Sequence, residues 1–153
     1  MLLRAGSPWR AVESVVPPGS GGLYGGAMIE QAIEQWHRVV AGDLDVLADL
    51  LADDVDFYSP VVFTPQRGKA ITSVYLRGAM QVLGGADFRY TKQVLAGCHA
   101  VLEFETSVED KHINGVDIIT CDDAGRISEF RVMLRPLQAI NVVHQKMGEL
   151  LAQ

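Results

Sequence analysis

From residue 28 onward the apolar residues recur first at helical and then at strand spacing. Ile29, Ile33, Trp36 and Val40 fall three or four residues apart and run out at Gly42, which predicts an amphipathic helix closed by a glycine. Asp43 stands where an N-cap would, ahead of Leu44, Leu47, Leu50 and Leu51, so a second, shorter helix is expected, ended by Asp53 and Asp54. Val55 to Tyr58 reads as a short strand stopped by Ser59-Pro60. Beyond turn residues at Pro65 to Gly68, the spacing of Ile71, Val74, Tyr75, Ala79 and Val82 predicts a third helix that closes at Gly84-Gly85.

The period then changes from 3.6 to 2. Phe88 to Ala96, Ala100 to Val108, His112 to Cys121 and Arg126 to Leu134 are four strand candidates, separated by Gly97, Glu109-Asp110-Lys111 and Asp122 to Gly125. Links this short favour an antiparallel meander. Pro136, favourable at a first helical position, opens a last helix bearing Leu137, Ile140, Val143, His144, Met147, Leu150 and Leu151. The order predicts an α+β fold in which a sheet buries one face against helices.

Alternation assigns the faces. Leu102, Phe104, Thr106 and Val108 share one side of their strand, opposite Val101, Glu103, Glu105 and Ser107; Ser128, Phe130, Val132 and Leu134 oppose Glu129, Arg131, Met133 and Arg135. The charged sets face outward. The strand from His112 to Cys121 has polar residues on both faces, so two phasings remain open: Asp117 points to the core with Ile113 and Ile119, or to solvent. An inward carboxylate would be disfavoured in its charged form by desolvation, which makes Asp117 a site candidate.

Residues 1–27 carry six of the fifteen glycines and three of the six prolines without either period, the mark of a flexible N-terminal arm, with 28–153 expected to form a single domain. Their glycine cluster follows no strand and lacks the Lys-Ser/Thr ending of a phosphate loop. A formal charge of -6 leaves no electrostatic footprint for nucleic acid or an anionic membrane, and no apolar run approaches a membrane span. Cys98 and Cys121 could form at most one bridge and belong to no CxxC, and a cytoplasmic location is expected. His37, His99, His112 and His144 fall into no HExxH pattern, so neither metal nor cofactor is expected. Strand alternation would put Cys98 and His99 on opposite faces.

Three stretches resemble the nuclear-transport-factor-2-like (NTF2-like) superfamily, in its SnoaL-like and ketosteroid-isomerase-like branch: VVAGDLDVLADLLADDVDFYSP, within Ala32 to Pro60; RGKAITSVYLRGAM, Arg67 to Met80; and VDIITCDDAGRISEFRVML, Val116 to Leu134. The resemblance implies a cone-shaped, strongly curved, mostly antiparallel sheet wrapped around N-terminal helices, with an apolar pocket inside and an additional C-terminal helix here. It places Asp117 inward, at the position of the acid that holds the dienolate oxygen in the isomerases. The isomerase tyrosine position falls on Gln35 and the general-base position on Ser59, a hydroxyl that cannot take a proton from carbon near neutral pH. The acid of the polyketide cyclases falls on Arg135, and no second inward carboxylate accompanies Asp117 for a hydrolase relay.

A small hydrophobic ligand is expected among Trp36, Phe57, Phe104, Phe130 and Val132, with Gln35 and Ser59 at the family's polar positions. Asp117 would be the acid or base of an isomerase, cyclase or hydratase; the missing partners equally suit a non-catalytic binding or interaction domain. With Asp117 inward, Val101, Val116, Ile118 and Met133 form an outer apolar patch, with Arg131 as the counter-charge to Glu103 and Glu105. A homodimer is expected on that face.

Overall fold

The computed structural model describes residues 26–153, and the expected arm lies outside the described residues except for its last two, which begin the first helix. Helix α1 spans Gly26–Val40 and buries Ile29, Ile33, Trp36 and Val39. The chain turns at Gly42, whose φ of +110° is the left-handed conformation that a glycine adopts at least cost. The expected second helix is reduced to a 3-10 turn at Leu44–Val46 and a single turn α2 at Leu47–Leu50. Asp43 does not cap it, because Arg38 Nη2 donates to Asp43 Oδ2 at 2.6 Å.

Strand β1 runs Leu51–Tyr58, so it begins four residues before the expected strand and takes in Asp53 and Asp54. Leu51 and Ala52 are both buried there, and the register against the neighbouring strand shifts between Leu51 and Asp56. A two-residue strand β2, Gln66–Arg67, was not legible in the pattern. Helix α3 follows at Lys69–Leu83, then β3 at Arg89–Ala96, β4 at His99–Val108, β5 at Lys111–Cys121, β6 at Ile127–Arg135 and α4 at Leu137–Leu151, with Pro136 one position before the helix rather than in it.

The strands form one sheet in the order β2-β1-β6-β5-β4-β3, antiparallel throughout except for the β1/β6 pair. The expectation of a cone-shaped, strongly curved sheet is thereby corrected: the sheet is open, with β2 and β3 as its edges, and is not strongly curved. Sharp bending is introduced by bulges within the ladder, and the central β4/β5 ladder runs through ten consecutive partners, from His99↔Thr120 to Val108↔Lys111, without one. The irregularities fall outside it, at Leu51/Asp56, Tyr90/Lys92 and Thr120/Cys121.

All three long helices pack on one face: α1 on β3, β4 and β5, α3 on β1 and β4, and α4 on β4, β5, β6 and α3. Leu102, Phe104, Thr106 and Val108 are buried beneath them as expected. On β5 the alternation settles on Ile113, Gly115, Asp117, Ile119 and Cys121 inward. On β6 the slip between Thr120 and Cys121 turns Ile127 inward in place of Ser128, while Phe130 and Val132 keep their expected side. No helix among the described residues is long and apolar enough to cross a membrane.

Gly115 shapes the middle of this face. It pairs with Phe104, and a Cβ added to it would lie 2.2 Å from Phe104 Cζ, a contact no methyl group can make. The missing side chain therefore leaves room for the Phe104 ring to lie over β5. Gly115→Ala is expected to cost about 1–3 kcal/mol in urea unfolding, as overpacking does, and Phe104→Leu in the same chain is expected to recover part of the loss. A variant as stable as the parent would show that the ring is free to move.

Candidate functional site

A cavity of about 210 Å³ lies between the helices and the inner face of the sheet. Its walls are the aromatic rings of Trp36, Phe57, Tyr75, Phe88, Phe104 and Phe130 with aliphatic side chains from α3, β6 and α4. The rings hold one another: Trp36 meets Phe130 edge-on at 4.7 Å between centroids, and Phe88 stacks on Phe104 at 5.2 Å. Such pairs add to burial alone and fix the shape of the space they enclose. Val62, His144, Gly148 and Leu151 are the exposed members of the lining and mark its mouth.

Asp117 reaches the cavity from the middle of β5, between Leu102 of β4 and Val132 of β6. Only 4% of it is exposed. Tyr90 Oη donates to Asp117 Oδ2 at 2.6 Å, and Trp36 Nε1 donates to Tyr90 Oη at 2.7 Å. The hydroxyl thus accepts from the indole and donates to the carboxyl, tying α1, β3 and β5 together through their buried polar atoms. Burial pushes the Asp117 carboxyl up to about 7, with the Tyr90 hydrogen bond pulling the other way. Burial also holds the Tyr90 phenol well above its ordinary value, and the Asp117 charge adds to this, so Tyr90 stays the donor.

Behind Tyr90, at 5.7 Å between ring centroids, His37 is lowered by burial against the opposing influences of Glu34 and Gln93. A neutral imidazole there brings no positive charge to relieve Asp117. Among the described residues no lysine or arginine lines the cavity. Near neutral pH the site can therefore present either a protonated acid, able to donate to a ligand oxygen, or a carboxylate in an apolar enclosure.

The structure brings together Trp36, Phe57, Ser59, Phe104, Asp117, Phe130 and Val132 around this space. Gln35 does not join them. One residue from Trp36 on the helix, it faces outward, where Arg38 Nη1 donates to Gln35 Oε1 at 3.0 Å. Ser59 is present but occupied: its Oγ accepts from the Val61 and Val62 backbone N–H groups at 3.1 and 3.4 Å. Two contributors were missed. Tyr90 lies on β3, and its place opposite Phe104 is the signal that marks its inward face. His144 belongs to an apolar helix face and to no metal-ligand pattern, and neither feature marks it as cavity lining.

On the outer face Val101 is 40% and Met133 51% exposed, and Val116 and Ile118 are half-buried. Val101 faces Ile118 across the ladder and Val116 faces Met133. Arg131 does not serve Glu103 and Glu105, because β5 separates β6 from β4. It pairs with Glu129 at 3.5 Å and lies over the Tyr58 ring, while Glu103 takes Lys92 at 2.9 Å and Glu105 takes Arg89. Cys98 and His99 also depart from expectation: Cys98 sits in the turn before β4, outside the alternating ladder, and its Sγ is 3.5 Å from His99 Nε2.

Among curated proteins none matches the chain. A crystal structure of a steroid delta-isomerase from Pseudomonas aeruginosa is 35% identical with a TM-score of 0.78, over 82% of this chain and 93% of that one. A protein with a cystatin-like fold from Silicibacter pomeroyi is 31% identical with a TM-score of 0.72, over 77% and 83%. An NTF2-like protein from Mesorhizobium loti, 17% identical with a TM-score of 0.63 over 72% and 93%, shares the fold. The SnoaL-like domain family matches residues 29–130, from α1 to the middle of β6. On that match and these identities, the chain belongs to the SnoaL-like family of the NTF2-like superfamily.

Proposed function

We propose that the cavity binds a small hydrophobic molecule and that Asp117 handles one proton on it, in an isomerisation. One observation carries this reading: a carboxyl raised to about 7 stands at the end of a buried Trp36–Tyr90 hydrogen-bond chain and opens on an otherwise apolar space. A neutral acid in such a place stabilises an oxyanion that develops on a bound ketone, the use to which ketosteroid isomerases put theirs. The 35% identity to a protein named as a steroid delta-isomerase supports isomerisation over cyclisation. Arg135, at the cyclase acid position, is exposed at the end of β6 and is not part of the lining. Hydration has less support too, since among the described residues the lining holds no carboxylate besides Asp117.

Ser59 favours a second reading, in which the domain binds without catalysis. Where the isomerases carry a base, this chain has a hydroxyl already engaged by two backbone N–H groups. Two cysteines that are both free, Cys98 and Cys121, suit a reducing compartment and support a cytoplasmic site of action.

The ligand-binding part of the proposal can be tested with 4-methylphenol, whose hydroxyl on a flat ring imitates an enolate. Calorimetry is expected to give one site per chain in the parent and at least tenfold weaker binding in Asp117→Ala; equal affinities would remove Asp117 from the site.

The same face that the helices leave bare is proposed as a homodimer interface. Val94, Val101 and Ile118 form one row across β3, β4 and β5, flanked by Val116 and Met133. A contiguous apolar patch of this kind marks an interaction surface, and twofold pairing buries it on both copies. Ile118→Asp is expected to turn a sedimenting dimer into a monomer at micromolar concentration. A dimer that persists would put the interface elsewhere.

A further inference from the structure

We infer that His144, carried to the mouth of the cavity by α4, is the proton acceptor that works opposite Asp117, on a ketone of one or two rings with an acidic C–H beside its carbonyl. This rests on the isomerase reading above and supplies the group that Ser59 cannot provide.

Among the described residues the lining offers four side chains with a polar group, Ser59, Tyr75, Asp117 and His144, the indole N–H of Trp36 being spent on Tyr90. Ser59 and Tyr75 carry hydroxyls, which are donors and weak acceptors rather than bases; Ser59 is further committed to its own loop, and the Tyr75 ring leans on Phe57 at 5.5 Å. An imidazole is the commonest general base in proteins. Asp117 and His144 also differ in exposure. Asp117 is sealed at 4%, where burial favours its protonated form, whereas His144 is solvent-exposed.

Packing holds the helix that carries that imidazole. Val143, His144, Met147, Gly148 and Leu151 line the cavity from one face of α4, at the spacing of successive helical turns. Val143 and Ala139 are buried, and Met147 closes on Gly78 of α3 so tightly that a Cβ there would lie 3.0 Å from its Cε. His144 is therefore mounted on a fixed helix rather than on a loop, as a group that must meet a reacting carbon should be. This helix lies wholly beyond residues 29–130, the stretch that the SnoaL-like domain match covers.

Size narrows the ligand. A cavity of about 210 Å³ is somewhat larger than the roughly 150 Å³ that accommodates benzene and smaller than the ~300–1,000 Å³ typical of drug-sized ligands. One or two rings fill it. With a β,γ-unsaturated cyclic ketone, His144 takes the proton from the carbon between the carbonyl and the double bond. The C–H pair moves into the ring to give a dienolate whose oxygen is held by the Asp117 proton. The imidazolium then returns its proton to the γ carbon, the double bond comes into conjugation with the carbonyl, and both side chains end as they began. No external oxidant or reductant takes part.

The test uses 3-cyclohexen-1-one as substrate and the full chain as it stands, following the absorbance of the conjugated product. His144→Gln keeps size and polarity without a usable base; it is expected to lower kcat 10²–10⁴-fold, leave KM within threefold and leave 4-methylphenol affinity unchanged. In His144→Ala, added imidazole is expected to restore turnover, a recovery that a merely structural histidine would not show. If His144→Gln turns over like the parent while Asp117→Ala does not, the assignment of His144 is wrong and the isomerase reading stands. If the parent binds 4-methylphenol through Asp117 yet leaves cyclohexenone unchanged, the assignment is likewise wrong and the domain is a binder. Failure of both binding and turnover overturns the two together.

Discussion

A carboxyl group buried among aromatic rings is the constraint around which this molecule is arranged. Asp117 sits on the central strand of the inner face, where an unpartnered charge would cost several kcal/mol. Two devices make the position tenable: the Tyr90 hydroxyl, held in turn by the Trp36 indole, and a titration raised to about 7, so that the group can be neutral. Since its folded value lies above the unfolded one, the native state binds the extra proton between about pH 4 and pH 7. Stability from this group is present in full at low pH and is lost as the pH rises through that window. The site is thus maintained at a cost to stability near neutrality, as groups retained for chemistry commonly are.

The surrounding fold supplies the rest of the environment. Trp36 comes from α1, Tyr90 from β3 and Asp117 from β5, so the hydrogen-bond chain is correct only when helix and sheet have docked. Gly115, two residues from Asp117 on the same face, lets the Phe104 ring lie flat enough to wall the cavity. Helix α4 closes the remaining side and adds the imidazole. An open sheet suffices for all of this, because the helices, not sheet closure, seal the space.

Most of the architecture could be read from periodicity, since long segments of strict 3.6 or 2 spacing leave few alternatives: α1, α3, α4 and β3 to β6 fall within a few residues of expectation. The reading failed where local pattern and tertiary demand disagree. Leu51 and Ala52 look helical in sequence, but Leu51 joins the sheet opposite Ile127 and Asp53 and Asp54 follow it into the strand. Strand β2 is too short to have a period. The β6 register slip at Ile127 is invisible without its partner strand. The cone expected by resemblance is replaced by an open sheet, whose central ladder lacks the bulges needed for sharp bending.

The site divides in the same way. Asp117 was recoverable once its phasing was decided, and the aromatic wall followed from the faces of β4 and β6. Gln35 was carried over by family position alone and proves to be one residue off the inner face of α1. Tyr90 and His144 were missed because a tyrosine on a strand and a histidine on an amphipathic helix have no local mark; only the contact made across 27 residues ties Tyr90 to Asp117, and only the cavity that α4 completes brings His144 into the lining. The measurement that bears most directly on all of this is titration of the Asp117 carboxyl carbon by NMR. A midpoint near 7, moving higher still in Tyr90→Phe, is the expected result; a midpoint at or below the ordinary aspartate value of about 3.9 would contradict the raised acid placed at Asp117.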